Sequence, residues 1–515
     1  MNNVLQYLEN SAKLYPDKIA AVDAFTRCTY EALYNDARKI GSLIAEKSVS
    51  KKPIVMFMDK GVFTLKAFFG AVYAGCFYTL LDPSFPKDRV CQILGVLNTK
   101  VVITTVADKD KLLDAGFDGE IIIKEDITDS NENIILDINE DKLLTIRRTM
   151  TDLDPLYCNF TSGSTGVPKG VLISHNSVID FIDVFTETFG ITNEDVIGNQ
   201  APFDFDVSVK DIYSAIKVGA TLVMIPKAYF MFPNQVVEML ENEKVTTLIW
   251  AVSALCLLIR LHGLKHIVPK HINKIMFSGE MMPIKQFNQW KSYYPDAMYV
   301  NLYGPTEITC NCTYYIVNRE FEEGMKIPMG NAFANERVFL LDDNDSEVTC
   351  DDVNKPAEIC VSGRSVGLGY YNSKEATDKS FVQNPLVSGY RDIIYRTGDL
   401  AYYGEDGLLY FAGRKDFQIK HMGHRIELEE IENVLSGVSI VEHACCFFDA
   451  KKNRVVAYYV GEDNKKEIID EMKSRVPDYM VPNVFKCVER LPLNKNGKTD
   501  RKLIIEKYEK GEDIC

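Results

Sequence analysis

What this 515-residue chain lacks narrows it first. No apolar run long enough to cross a bilayer stands clear of charge and turns. The stretch from Val62 to Leu81 comes nearest, but it holds Lys66 and two glycines and runs into Asp82-Pro83-Ser84, so a buried helix followed by a strand is expected there. Paired CxxC spacing is missing among the 13 cysteines, whose close pairs are Cys310/Cys312 and Cys445/Cys446, which argues against structural zinc. His262 and His266 are placed on one helical face by their spacing, yet no acidic third ligand lies near them. With no signal-peptide pattern ahead of them, the cysteines are expected as reduced thiols and the protein as cytoplasmic. Positive charge is in deficit, with 58 Lys and Arg against 73 Asp and Glu and a net charge of -15. Such a field repels phosphate backbones and anionic lipid, so neither nucleic acid nor membrane insertion is expected. Neither a fixed-period repeat nor a low-complexity tract is found.

What is present, 46% hydrophobic and 25% charged residues, is the composition of a large globular protein with core enough for two unequal domains. Strand-like and helix-like runs alternate over the first four fifths: helix Val4 to Leu14, strand Pro53 to Phe57, helix Phe63 to Ala74, strand Val101 to Thr105. The same order returns in Lys210 to Lys217 before Thr221 to Ile225, Gln235 to Asn242 before Thr247 to Ala251, and Ile284 to Tyr293 before Met298 to Leu302. Strand-then-helix grammar predicts an α/β protein with parallel sheet layers and flanking helices. Around Gly413 the character changes to charge, glycine and one amphipathic helix, followed by a small α+β remainder. A boundary near Arg414 to Asp416 is expected, giving a large domain over 1–414 and a small mobile one over 415–515.

The densest chemistry lies in TSGSTGVPKG, from Thr161 to Gly170. Glycine lets backbone N–H groups turn toward an anion, the hydroxyls add donors, and Lys169 supplies a compact positive charge for outer phosphates. The GxxxxGK[ST] order of a Walker A loop is absent, because the lysine follows a proline, so a different ATP-using fold is required. A polar surface turn is the plainer alternative.

Five strings occur in fixed order over nearly the whole chain: TSGSTGVPKG, NLYGPTE (Asn301–Glu307), YRTGDL (Tyr395–Leu400), GRKDFQIK (Gly413–Lys420) and NGKTDRK (Asn496–Lys502). Together they resemble the adenylate-forming superfamily. Within it, LLDPSFPKDRV at Leu80 and QIKHMGHRIELEEIE at Gln418 are similar to the amino-acid adenylating enzymes, namely nonribosomal peptide synthetase adenylation domains and stand-alone D-alanine:carrier-protein ligases. The resemblance implies ATP-dependent formation of an aminoacyl-adenylate and pyrophosphate, then transfer to the phosphopantetheine thiol of a carrier protein. An acyl-CoA synthetase acting on a non-amino acid and a catalytically idle binding scaffold are the alternatives.

By the same resemblance Thr161, Ser162, Gly163, Ser164, Thr165, Gly166 and Lys169 cradle the phosphates. Tyr303 stacks beside the adenine, Asp399 accepts from the ribose hydroxyls with Arg414 nearby, and Asn301 and Lys420 belong to the nucleotide site. Thr306 donates to the α-phosphate and Glu307 holds Mg²⁺, a hard cation suited to carboxylate and phosphate oxygen. Lys498 is the catalytic cation between substrate carboxylate and α-phosphate, and Asp416 is the hinge on which the small domain turns. Lys415, Lys420, His424 and Arg425 form a basic patch suited to a phosphopantetheine arm or an acidic carrier domain, with a solvated face as the alternative.

Asp206 in FDFDVSVKDIY matches the aspartate that binds a substrate α-amino group. A buried carboxylate without a cationic guest is costly, which favours amino acids over fatty or aryl acids. Val207, Lys210, Met276, Ser278, Leu302, Cys310 and Asn311 are the further lining candidates, with Trp250 or Ala251 at one more position. D-alanine ligases carry cysteine in a CGE string where this chain has Ser278-Gly279-Glu280, so the side chain and stereochemistry of the substrate stay open. Sequence phase leaves Lys210 pointing either way. The chain ends at Cys515 soon after NGKTDRK, so the carrier is expected in trans, an excised piece of a longer synthetase being the alternative.

Overall fold

The computed structural model describes residues 2–47, 50–163, 167–493 and 499–513. In the strand Pro53–Phe57 every residue is buried, Ile54 and Met56 entering one apolar cluster and Val55 and Phe57 another. The strand Phe77–Leu81 divides in the same way, Tyr78 and Leu80 from Phe77 and Leu81. Burial on both faces is what a parallel sheet covered by helices demands, and each fully buried Ile, Val or Phe contributes about 1.5–3 kcal/mol.

These strands belong to a seven-stranded sheet whose other long members are Val101–Thr104, Glu120–Ile123, Pro155–Thr161 and Lys169–Ser174. A second, nine-stranded sheet runs through Val196–Asn199, Thr247–Ala251, Lys274–Ser278 and Met298–Tyr303, all paired in parallel. Between the two lies a layer of helices, Leu5–Leu14, Tyr30–Glu46, Val62–Tyr73, His175–Thr188 and Val207–Val218, whose buried residues merge with inward residues of both sheets into one core. The stretch Val62 to Leu81 is thus a buried helix and strand. Where Tyr30–Glu46 crosses Val62–Tyr73 the backbones approach closely, since a Cβ on Gly41 would stand 2.7 Å from that of Tyr73.

A six-stranded antiparallel sheet built on Glu336–Leu341, Ala357–Gly363 and Ile393–Tyr403, with Leu409–Arg414 beside the last, completes the large part. Beyond Arg414 come the hairpin Gln418–His421/His424–Glu427 and a three-stranded sheet, Val441–Asp449, Arg454–Gly461 and Val484–Cys487. Helices Leu428–Ser436 and Lys465–Arg475 share an apolar cluster with that sheet. His262 and His266 flank a short 3₁₀ turn, Gly263–Lys265, so the shared helical face expected of them does not form. Among the described residues no helix is long and apolar enough to cross a membrane, and no cluster of His, Cys, Asp and Glu has the makings of a metal site.

Candidate active site

A cavity opens where strands of the two large sheets end. Leu81, Thr161 and Ser278 close their strands at its wall, and Gly304 follows directly on Met298–Tyr303. Carboxyl ends of parallel strands are where open α/β sheets place ligands. The pleat sorts the candidates on these strands. Met276 and Leu302 face the inner core, and Ser278, two residues beyond Met276, reaches the cavity on that same side. Met276 and Leu302 themselves lie beneath the wall in the core. Trp250 turns to the opposite face, where its indole N–H donates to Gly198 O at 2.7 Å, so Ala251 is the inward residue of that pair.

Asp206 precedes the helix Val207–Val218 without capping it through its side chain. Its carboxylate lines the cavity with Val207, hydrogen-bonded by the Thr306 hydroxyl, and its carbonyl accepts from Cys310 Sγ at 3.0 Å. Burial raises the Asp206 pKa, against the opposing pull of the Lys210 charge and of Thr306. Lys210 points inward. Its Nζ donates to Asn311 Oδ1 at 2.8 Å and to Ser278 Oγ at 3.3 Å, and burial lowers its pKa.

Beside the cavity, the Tyr303 hydroxyl donates to Asp399 Oδ2 at 2.6 Å. The Arg414 guanidinium bridges Asp399 and Asp416, reaching Asp416 through Nε at 2.6 Å and Nη2 at 2.8 Å. Lys420 Nζ stands 5.3 Å from the centre of the Tyr303 ring. Asn301 faces away from the cavity and donates to Pro328 O, while Lys169 lies 5.5 Å from the centre of the Tyr370 ring. Glu307 is fully buried between Arg425, whose Nη1 reaches its two oxygens at 2.9 and 2.7 Å, and the Tyr370 hydroxyl at 2.7 Å. Burial opposes its ionisation, but the Arg425 charge and the Tyr370 hydrogen bond outweigh it and hold the carboxyl below its ordinary range.

The C-terminal hairpin forms the facing wall. Its two-residue turn has φ of 54° at Met422 and 82° at Gly423, the positive pair of a type I′ turn. Gly423 N–H donates to Glu280 Oε1 at 2.7 Å, and His424 stacks on Tyr479 with ring centres 3.6 Å apart. Ser162 Oγ donates to Arg425 O at 2.8 Å and accepts from Glu427 N–H at 3.1 Å. Gly163 N–H donates to Glu430 Oε2 at 3.2 Å, and Arg89 pairs with the other oxygen of Glu430 at 2.9 Å.

One expectation therefore changes. The basic patch does not form as a surface: Lys420, His424 and Arg425 face the cavity, whereas Lys415 turns off to pair with Asp343 and Glu358. Carboxylates and an aromatic ring on the large part draw these groups inward. Lys498 and the loop residues Ser164, Thr165 and Gly166 lie outside the described residues. Arg89, Tyr370, Tyr479 and Glu430 went unread in the sequence. The string LLDPSFPKDRV contains Arg89, but nothing in it points to a carboxylate 341 positions away.

The AMP-binding enzyme family profile matches residues 8–371, and the profile for the C-terminal domain of AMP-binding enzymes matches 430–498. The chain is 32% identical to a D-alanine--D-alanyl carrier protein ligase of Staphylococcus aureus, over 98% of this chain and 99% of that one. It is also 32% identical to bacitracin synthase 1 of Bacillus licheniformis over 97% of its length, but spans 9% of that far longer protein. Among solved structures, the Vibrio cholerae adenylation domain AlmE, in complex with glycyl-adenosine-5'-phosphate, shares its fold at a TM-score of 0.83 with 19% identity, covering 98% of each chain. With a profile that takes in most of its length and a full-length relative of that identity, this chain belongs to the AMP-binding enzyme family.

Proposed function

We propose that the protein joins an amino acid to the α-phosphate of ATP, releasing pyrophosphate, and passes the aminoacyl group to the phosphopantetheine thiol of a carrier protein in trans. One observation carries this reading: the Asp206 carboxylate opens into the same cavity as Thr161, Ser162 and Asp399. An anchor for an ammonium and a cradle for a nucleotide there share one space. The D-alanine--D-alanyl carrier protein ligase at 32% identity supports the same chemistry.

In the first half-reaction a carboxylate oxygen forms a bond to the α-phosphorus as the bond to pyrophosphate breaks, and charge gathers on the phosphoryl oxygens. Catalysis is then positioning and electrostatic stabilisation. Asp206 fixes the amino group, Thr306 donates to the phosphoryl oxygen, Asp399 holds the ribose, and Lys498 supplies the cation. Glu307, a hard carboxylate beside the phosphate cradle, suits Mg²⁺, which would neutralise phosphate charge there. In the second half-reaction the thiol attacks the acyl carbon and AMP leaves.

The hairpin fits that second stage. Arg425 occupies both oxygens of Glu307, and the small part engages Ser162 and Gly163, groups that a polyphosphate would otherwise use. The boundary at 414/415 and the pivot at Asp416, whose carboxylate is clasped by Arg414, form part of this reading, as does a cytoplasmic location. Amino-acid-dependent exchange between ATP and pyrophosphate, followed by loading of a holo carrier protein, tests it. Equal activation of fatty or aryl acids would replace it with the acyl-CoA synthetase reading.

A further inference from the structure

The floor of the amino-acid side of the cavity is lined by hydrogen-bond donors. Asn311 and Ser278 both face the cavity, and both turn an oxygen down to Lys210. An asparagine whose Oδ1 is engaged presents its Nδ2 hydrogens elsewhere, and a serine that accepts still has its own O–H to donate. Neither group donates to any described residue. Lys210 has three N–H groups and two neutral acceptors.

The charges nearby sharpen this. Lys210 is fully buried and forms no ion pair with any described carboxylate. The neighbouring Asp211 accepts from Asn199 Nδ2 at 2.7 Å, and burial pushes its carboxyl up to about 7. The Cys310 thiol, raised by burial, stays neutral. Asp206, four residues earlier, is the remaining counter-charge, and on the function proposed above it is taken by the substrate ammonium. A neutral amino acid would then leave Lys210 as a buried cation without an anion, a costly state.

We infer that the substrate is an amino acid bearing a second carboxylate in its side chain, which Lys210, Asn311 and Ser278 bind together. Each charge then has a partner: α-ammonium with Asp206, side-chain carboxylate with Lys210. This inference rests on the amino-acid reading, and its test separates the two.

The test is pyrophosphate exchange by the wild-type protein with both enantiomers of aspartate, glutamate, asparagine, glutamine and alanine, and with glycine. An acidic substrate should exceed its own amide by about 10²-fold or more in kcat/KM, because the amide leaves the ammonium unpaired. Lys210→Met, similar in length, should abolish that preference. Asn311→Asp, which gives Lys210 an internal anion, should also weaken the acid relative to the amide, and it serves should Lys210→Met fail to fold. A neutral best substrate overturns the inference and leaves the amino-acid reading standing. Activation of nothing in this panel overturns the inference, and if none of the remaining proteinogenic amino acids is activated either, both are overturned. An acid preference unmoved in both folded variants overturns the role of Lys210.

Discussion

Asp206, Ser278 and Thr306 reach the cavity from ends of elements whose other residues are locked in an apolar core spanning two sheets. Lys420, Gly423 and Arg425 reach the same cavity on a two-stranded hairpin that meets the large part through an ion pair, hydrogen bonds and the edge-to-face contact of His424 with Phe205. Moving the first wall would expose buried methyl groups, whereas moving the second exchanges polar contacts for water. Net polar exchange of that kind costs about 0.5–1.5 kcal/mol per hydrogen bond. On the function proposed above, one wall selects the substrate and the other is suited to come and go.

The largest test falls on the fixed wall. Asp206→Ala should raise KM for the amino acid by about 10²–10³-fold, with little change in KM for ATP, since a buried charge that loses its partner costs about 3–5 kcal/mol. If amino-acid activation survives, the wall does not select through that carboxylate. Lys498→Ala should next lower adenylate formation about 10²–10³-fold while sparing thioester formation from preformed adenylate, as expected of one transition-state donor. Equal loss in both steps would deny that the two half-reactions use different faces of the small part.

Arg425→Ala addresses the movable wall. It leaves Glu307 buried without its cation, so the docked arrangement should weaken and carrier loading fall by about 10²-fold, with pyrophosphate exchange maintained. Impaired exchange with normal loading would reverse the assignment of the hairpin to the second stage. The smallest effect concerns Glu430. Burial pushes its carboxyl up to about 7 from the usual 4.5 in spite of Arg89, so the folded protein retains a proton that the unfolded chain loses. That stability is fully present below the lower value and is lost as pH rises through the upper one. Glu430→Gln should therefore make the fall in Tm between about pH 5 and 8 shallower. An unchanged slope would mean that the hairpin side carries no such proton.

How far the sequence reaches follows the same division. The strand Pro53–Phe57 is legible to the residue, because an uninterrupted apolar run between charged neighbours has one natural fate. The helix expected from Lys210 begins at Val207, three residues early, with Asp206 at its start but not capping it through its side chain. The strands of the six-stranded sheet went unread, as their pairing joins segments such as Glu336–Leu341 and Ala357–Gly363 across intervening loops. Thr161, Asp206 and Thr306, each carried by a short motif, come together at one cavity. The bond from Arg425 to Glu307 is not legible, because the motif gives the residue type while the partner lies 118 positions away.

The Met422-Gly423 turn bears on how the cavity is covered. A two-residue bend with both φ values positive matches the natural twist of its strands, so the hairpin holds its shape through its own backbone. Such a cover arrives already folded. Closure then loses only the freedom of a rigid body and not that of a dozen separate backbone torsions, which lets a contact made mostly of polar groups be both specific and quickly released.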